Sequence, residues 1–371
     1  MEVAKEAYAL YQSENALGPA AFPSLKRMES EVVAMALDLL NGPTDGTGNI
    51  TSGGTESIIL AVKSCRDEAA SRGIDVIGAN LVLPRTAHLA FDKAAHYLGL
   101  EIRRVDVDGD FLADPAAIAD AMDERTILIM GSAPCFPYGL VDPIPALGEL
   151  ALERNVWLHV DACVGGYLNP FAEREGVELP AWDFRVPGVR TISADLHKYG
   201  YAAKGASTIL HRSVAQHAHQ TFSGDDWPAG AMTTPTVAGT RPGGAIAAAW
   251  AVMHYLGFEG YRERTRRILA ARERITAGLA PLGLRVYGDP RLALIAFGPE
   301  DGDDLNIFAV WKSLHDRGWF SGVVANPNGI HMMLSPSHEE VAGEYLHDLA
   351  EAVGEARGGD EAGPNPPVRY A

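Results

Sequence analysis

The sequence predicts an α/β fold, with a mainly parallel central sheet followed by a smaller C-terminal α+β domain. Two patterns carry that expectation. Between residues 81 and 194, short apolar runs alternate with stretches of helical periodicity, the order that winds a parallel sheet between helices. Beyond about residue 258 the pattern becomes βαβ-like with antiparallel options, which suits a separate small domain. The chain has 371 residues, 47% of them hydrophobic, enough to bury a core in one major and one minor domain.

Helical periodicity first appears over residues 30–40, where Val32, Val33, Met35, Ala36, Leu39 and Leu40 share a face. Asn41-Gly42-Pro43 supplies the breakers that end it. A Gly-rich turn over 46–54 leads into a helix over 55–71. Residues 81–83 then read as a strand, 87–98 as a helix, 101–107 as a strand and 115–122 as a helix. A short apolar run over 127–130 ends at Gly131, and a helix over 145–154 precedes strands over 156–160 and 191–194. Helices follow over 245–256 and over the Arg-rich 261–279. The C-terminal part reads as strands over 284–287 and 292–297, a helix over 305–317, a strand over 330–334 and a closing helix over 338–355. The expected organisation is an N-terminal segment 1–40, a large domain 41–257 and a small domain 258–357. Residues 358–371, rich in Gly, Pro and charge, are expected to form a disordered tail.

Charge narrows the function classes. With 31 Lys and Arg against 48 Asp and Glu, the net charge of −17 repels phosphate backbones and anionic bilayers, so neither a nucleic acid nor a membrane is an expected partner. Cys65, Cys135 and Cys163 are odd in number and lack metal-ligand spacing, so reduced thiols and no metal are expected. The N-terminus lacks a signal-peptide pattern and no apolar run is long enough to span a bilayer, so a cytoplasmic location is expected.

Three segments carry the chemistry. Ser52-Gly53-Gly54-Thr55 opens a helix, where adjacent glycines allow close approach and free N–H groups face an anion; Thr55 can add a hydroxyl and cap the helix. An ordinary capped turn is the plainer alternative. Asp161 ends the strand Trp157-Leu158-His159-Val160, where open α/β sheets bind ligands, and a carboxylate there can keep a pyridinium nitrogen protonated. The small Ala162 beside it would let a ring lie against the backbone. Lys198 follows the strand Thr191-Ile192-Ser193-Ala194; a desolvated lysine, its pKa lowered by burial, forms a Schiff base with an aldehyde. A helix-capping Asp and a surface His-Lys pair are the plainer readings, but the order of the three segments supplies phosphate, ring-nitrogen and aldehyde contacts together.

These blocks resemble the group II pyridoxal-phosphate-dependent decarboxylase superfamily, and most closely its sphingosine-1-phosphate lyase branch. The matching residues are Asn49-Ile50-Thr51-Ser52-Gly53-Gly54-Thr55-Glu56-Ser57, His159-Val160-Asp161-Ala162-Cys163, Ser193-Ala194-Asp195-Leu196-His197-Lys198-Tyr199-Gly200-Tyr201-Ala202-Ala203-Lys204 and Ala238-Gly239-Thr240-Arg241-Pro242. The resemblance implies the type I fold of pyridoxal-phosphate enzymes, pyridoxal 5'-phosphate as cofactor, a small-molecule amine as substrate and a homodimer. It implies Lys198 as the aldehyde-binding lysine, Asp161 as the ring-nitrogen partner and His88 as the residue stacked on the ring. By the same resemblance, Gly54, Thr55 and His197 are expected on the phosphate side, Ala162, Cys163, Ser193 and Asp195 near the cofactor, and Thr240 at the neighbouring subunit's site. Asn15, Gly18, Tyr201 and Lys204 are expected on the substrate side.

One departure stands out. The lyase branch carries a histidine in a loop of the form Asn-x-Leu-His-x-Asp, whereas this chain reads Asn15-Ala16-Leu17-Gly18 and has Ala20 in place of the acid. Glycine has no proton to donate from a side chain. Three readings are open: a carbon–carbon lyase acting on a β-hydroxy amine, an amino-acid decarboxylase, and a non-catalytic cofactor-binding homologue.

Overall fold

A computed structural model describes residues 2–18 and 20–358. Helices α1 (Glu2–Leu10) and α2 (Pro23–Leu39) lead into β1 (Thr47–Thr51) and α3 (Gly54–Ser71). The chain then alternates through β2 (Asn80–Pro84), α4 (Ala90–Leu98), β3 (Glu101–Val105), α5 (Pro115–Ala121), β4 (Thr126–Ser132) and α6 (Ile144–Arg154). Next come β5 (Trp157–Asp161), α7 (Asn169–Arg174), β6 (Val189–Ala194), β7 (Ser207–His211) and α8 (Val214–Ala218). A small hairpin, β8 (Phe222–Gly224) with β9 (Met232–Thr234), precedes the long α9 (Gly243–Ala277). The C-terminal part holds β10 (Leu284–Val286), β11 (Leu294–Pro299), α10 (Ile307–Asp316), β12 (Gly322–Ala325), β13 (Asn328–Met333) and α11 (His338–Gly358). All of the expected tail except Gly358 lies outside the described residues.

The seven-stranded sheet runs in the order β1-β7-β6-β5-β4-β2-β3. Its five strands from β6 to β3 are parallel, while β7 pairs antiparallel with both β6 and β1. This is the mainly parallel α/β sheet that the alternation predicts. Its central strands are apolar runs because helices cover both faces: Leu81, Leu83, Leu128, Ile129, Leu158 and Val160 are fully buried. The parallel register sets Ser132 beside Asp161 and Asp161 beside Ser193, so three polar side chains share the sheet's C-terminal edge.

The reading of residues 46–54 as a turn is corrected: Thr47–Thr51 is an edge strand. Its polar sequence hides it, and Gly48 is required because a Cβ there would lie 2.3 Å from the Ile209 carbonyl oxygen. The helix expected from residue 87 begins at Ala90, after a turn in which the Ala87 N–H donates to the Pro84 carbonyl. The two helices expected over 245–279 join as α9 across a kink at Gly257, whose φ of 54° is left-handed. The C-terminal sheet is antiparallel throughout, in the order β10-β11-β13-β12, over its own core of Leu294, Ile295, Phe297, Ile330 and Leu349.

Candidate active site

A cavity of about 330 Å³ opens at the C-terminal edge of the central sheet. Its walls include Gly54 and Thr55 from the start of α3, His88 before α4, Asp161 and Cys163 after β5, and Asp195, His197 and Lys198 after β6. Four segments distant in sequence thus meet at the crevice where open α/β sheets take ligands.

The anion end is the N-terminus of α3. Gly53 is the N-cap and offers no side chain, so no capping group covers the first-turn amides. Thr55 therefore does not cap the helix, because the helix has already started at Gly54. The turn is held from behind instead: Glu56 Oε2 accepts from Ser52 N at 2.7 Å and Ser52 Oγ at 2.6 Å, and Glu56 Oε1 accepts from Val237 N at 3.0 Å. Gly54 packs against the lysine's own partner. A Cβ there would lie 2.6 Å from Cys163 Sγ and 3.0 Å from Asp195 Oδ1.

Lys198 Nζ lies 3.0 Å from Asp195 Oδ2, and the Asp195 side chain is only 3% exposed. Burial pulls the lysine's pKa down, but Asp195, with Cys163 and Asp161 behind it, more than offsets this, so the ammonium is held above its ordinary range. The expectation that burial lowers it is corrected: the sequence could not reveal how close the carboxylate three residues earlier would come. Burial outweighs the same carboxylate at His197, whose pKa falls. The Cys163 thiol is pushed well up by burial and by Asp161, so it is no thiolate nucleophile.

His88 accepts the Ala90 N–H on Nδ1 at 3.0 Å, which orients its ring at the cavity wall. It is thus a helix-start acceptor and a site residue at once. Asp161 Oδ1 accepts from Cys163 N at 3.0 Å. Ala162 and Ser193 are fully buried and lie behind the lining. Tyr199 is a packing residue, its hydroxyl donating to the Leu334 carbonyl at 2.7 Å.

The remaining expected residues lie outside the lining of this cavity. Tyr201 sits beside Tyr261 with Arg264 over its ring, and burial raises its phenol to about 12. Lys204 donates to the His197 carbonyl at 2.8 Å from the surface. Asn15 Nδ2 reaches Thr240 Oγ1 at 3.5 Å, and Thr240 is exposed. Sequence reasoning missed Ser132, Pro134 and Phe136 in the lining. Ser132 was findable, since it lies just beyond the apolar run 127–130 and ends the strand that neighbours β5.

The cavity suits an anionic, aldehyde-bearing aromatic cofactor. Asp195 Oδ1 and His197 Nδ1 are buried without a hydrogen-bond partner among the described residues, which marks polar capacity turned toward a ligand. An uncapped helix N-terminus, a lysine and a strand-end carboxylate complete the donor set for phosphate, aldehyde and ring nitrogen.

Comparisons with known proteins agree. The pyridoxal-dependent decarboxylase conserved domain matches residues 7–297. Sphingosine-1-phosphate lyase of Arabidopsis thaliana is 42% identical over 94% of this chain and 64% of its own length. The mouse sphingosine-1-phosphate lyase 1 is 40% identical over 95% of this chain and 62% of its own. The chain therefore spans a little under two thirds of these relatives. The solved sphingosine-1-phosphate lyase of Burkholderia pseudomallei superposes with a TM-score of 0.91 at 39% identity, over 95% of this chain and 82% of that one. Glutamate decarboxylase of Lactobacillus brevis shares the fold, with a TM-score of 0.84 at 22% identity over 97% of this chain and 86% of that one. The chain belongs to the pyridoxal-dependent decarboxylase family, whose cofactor is pyridoxal 5'-phosphate.

Proposed function

We propose that this chain is a carbon–carbon lyase of the sphingosine-1-phosphate lyase type, cleaving a phosphorylated β-hydroxy amine to an aldehyde and an amine. The observation that carries it is the Lys198–Asp195 pair facing the uncapped N-terminus of α3, in a chain 42% identical to one such lyase. Bound there, pyridoxal phosphate supplies an electron sink for the pair left when a bond to the substrate's α-carbon breaks. The α3 amides, with Thr55 and His197, would hold the phosphate; Asp161 would keep the ring nitrogen protonated; His88 would lie against the ring. Lys198 holds a proton at Nζ and passes it to and from the substrate, with Asp195 setting its readiness to do so. Thr240, exposed on this chain, serves the cavity of a second copy in a homodimer, and the enzyme works in the cytoplasm.

Gly18 favours a second reading, amino-acid decarboxylation, because the lyase branch places a histidine there. The test is a panel of β-hydroxy amine phosphates and amino acids offered to the protein loaded with pyridoxal phosphate, with products read by mass. Aldehyde without carbon dioxide supports the lyase; carbon dioxide from an amino acid overturns it in favour of the second reading. A Cβ at Gly18 meets nothing nearer than Ala21 Cβ at 3.8 Å, so a side chain can start there without a clash and Gly18→His can be made. That variant is expected to shift preference toward phosphorylated amines on the same panel, and unchanged preference removes Gly18 from the specificity argument.

A further inference from the structure

Behind the cavity wall, buried side chains of β5 and β6 form one hydrogen-bonded line. Trp157 Nε1 donates to Thr191 Oγ1 at 2.8 Å, and Thr191 Oγ1 lies 2.9 Å from His159 Nδ1. His159 Nε2 lies 3.1 Å from Ser193 Oγ, which donates to Asp161 Oδ1 at 3.4 Å. Residues 157, 159 and 161 share one face of β5, and the register sets Thr191 and Ser193 on β6 beside His159 and Asp161. His159, Thr191 and Ser193 are fully buried.

The donor inventory gives the line a direction. An indole N–H can only donate, so Thr191 Oγ1 accepts at that end. The one proton of Thr191 then has His159 Nδ1 as its acceptor. Burial holds the His159 pKa down at about 4, so the ring is neutral and carries a single N–H, at Nε2. That N–H donates to Ser193, which also receives the Cys163 thiol at 3.4 Å. Ser193 is left with one proton to give, and it goes to Asp161 Oδ1. The opposite tautomer would strand the Thr191 proton without an acceptor among the described residues and turn the Ser193 proton away from Asp161. Asp161 Oδ1 is thus occupied by Ser193 and Cys163 N, while Oδ2 takes no hydrogen bond among the described residues.

We propose that His159 is a positioning residue for Asp161: its Nε2–H, acting through Ser193, holds Oδ1 and leaves Oδ2 as the oxygen for the cofactor's ring nitrogen. Trp157 and Thr191 decide which nitrogen of His159 carries the proton. The assignment rests on the cofactor reading above and adds to it a residue outside the cavity lining.

The test has two arms. In cofactor-free protein labelled with 15N-histidine, the signal lost in His159→Gln is expected to be that of an Nε2–H tautomer; an Nδ1–H signal overturns the proposal. In the loaded protein, His159→Leu is expected to weaken pyridoxal phosphate binding by about tenfold or more, the usual scale for a residue supporting a direct ligand. His159→Gln, which keeps a donor near the Nε2 position, should stay within about threefold of the parent on that scale. In an Asp161→Ala background, His159→Leu should add almost nothing, because its effect acts through the removed carboxylate. Losses that multiply instead overturn the proposal. If His159→Leu fails to fold, Thr191→Val and Ser193→Ala carry the same cycle. A parent protein that binds no pyridoxal phosphate overturns the functional reading together with this one; a parent that binds, with multiplicative losses, overturns this one alone.

Discussion

The inner wall of the cavity and its outer edge are built in different ways. At the inner wall, Lys198 pairs with Asp195 after β6, and behind it His159 and Ser193 reach Asp161 at the end of β5, all within one chain. At the outer edge, Asn15 meets Thr240 only at 3.5 Å, and Thr240 and Lys204 lie exposed. What orders this edge is set further back, where Arg241 Nη2 reaches Glu29 Oε2 at 3.0 Å. The difference teaches that the inner wall is fixed by contacts within one chain, whereas the outer edge is held by few contacts of its own.

Breaking the inner wall should cost most. Lys198→Ala is expected to abolish the near-visible absorbance of the loaded protein and to lower turnover by roughly a thousandfold, as read by spectrum and product assay. Asp195→Asn leaves Lys198 charged without its partner and should lower the unfolding free energy of the cofactor-free protein by about 3 kcal/mol in denaturant titration at neutral pH. The sign with pH follows from the raised lysine: the pair's contribution is fully present below the ordinary lysine value of about 10.4 and is lost only as pH rises through the higher folded value. The gap between the parent and Asp195→Asn should therefore stay constant across neutral pH and narrow only in strong alkali. Gly54→Ala drives a methyl into Cys163 and Asp195 and should cost about 1–3 kcal/mol, part of which Cys163→Ala restores in the double variant. Thr240→Ala sharpens the contrast. It should change folding stability by no more than about 0.5 kcal/mol, yet weaken cofactor binding by about tenfold in the associated protein. Equal cofactor affinity in Thr240→Ala and the parent would place the outer edge outside the cofactor site.

The sequence disclosed the inner wall because Asp161 ends, and Asp195 and Lys198 follow, buried and largely apolar strands, and such strands are legible as runs. Asp161 after Trp157-Leu158-His159-Val160 and Lys198 after Thr191-Ile192-Ser193-Ala194 are the clearest cases. β1 escaped because an edge strand with one neighbour can be polar, and Thr47-Gly48-Asn49 looks like a turn. β7 escaped because Ser207–His211 holds only two apolar residues, Ile209 and Leu210, between polar ones, too few to separate from a loop. The protonation of Lys198 and the direction of the His159 line were hidden for another reason. Both depend on distances between side chains on neighbouring segments, which periodicity does not encode. The outer edge was the least legible, since loops such as residues 235–242 carry no period at all.

The antiparallel return from β6 to β7 has a kinetic consequence. Only residues 195–206 separate the two strands, and they contain Lys198. Every parallel pair in the same sheet must close a helical crossover, while this pair closes a short loop, whose entropic cost is smaller. The turn bearing Lys198 is therefore the stretch of the cavity that local contacts can assemble soonest, and the start of α3 and the end of β5 must come to it over longer separations. Lengthening residues 199–206 should slow refolding and misplace the lysine together, whereas an insertion near Gly302, at an exposed turn, should do neither.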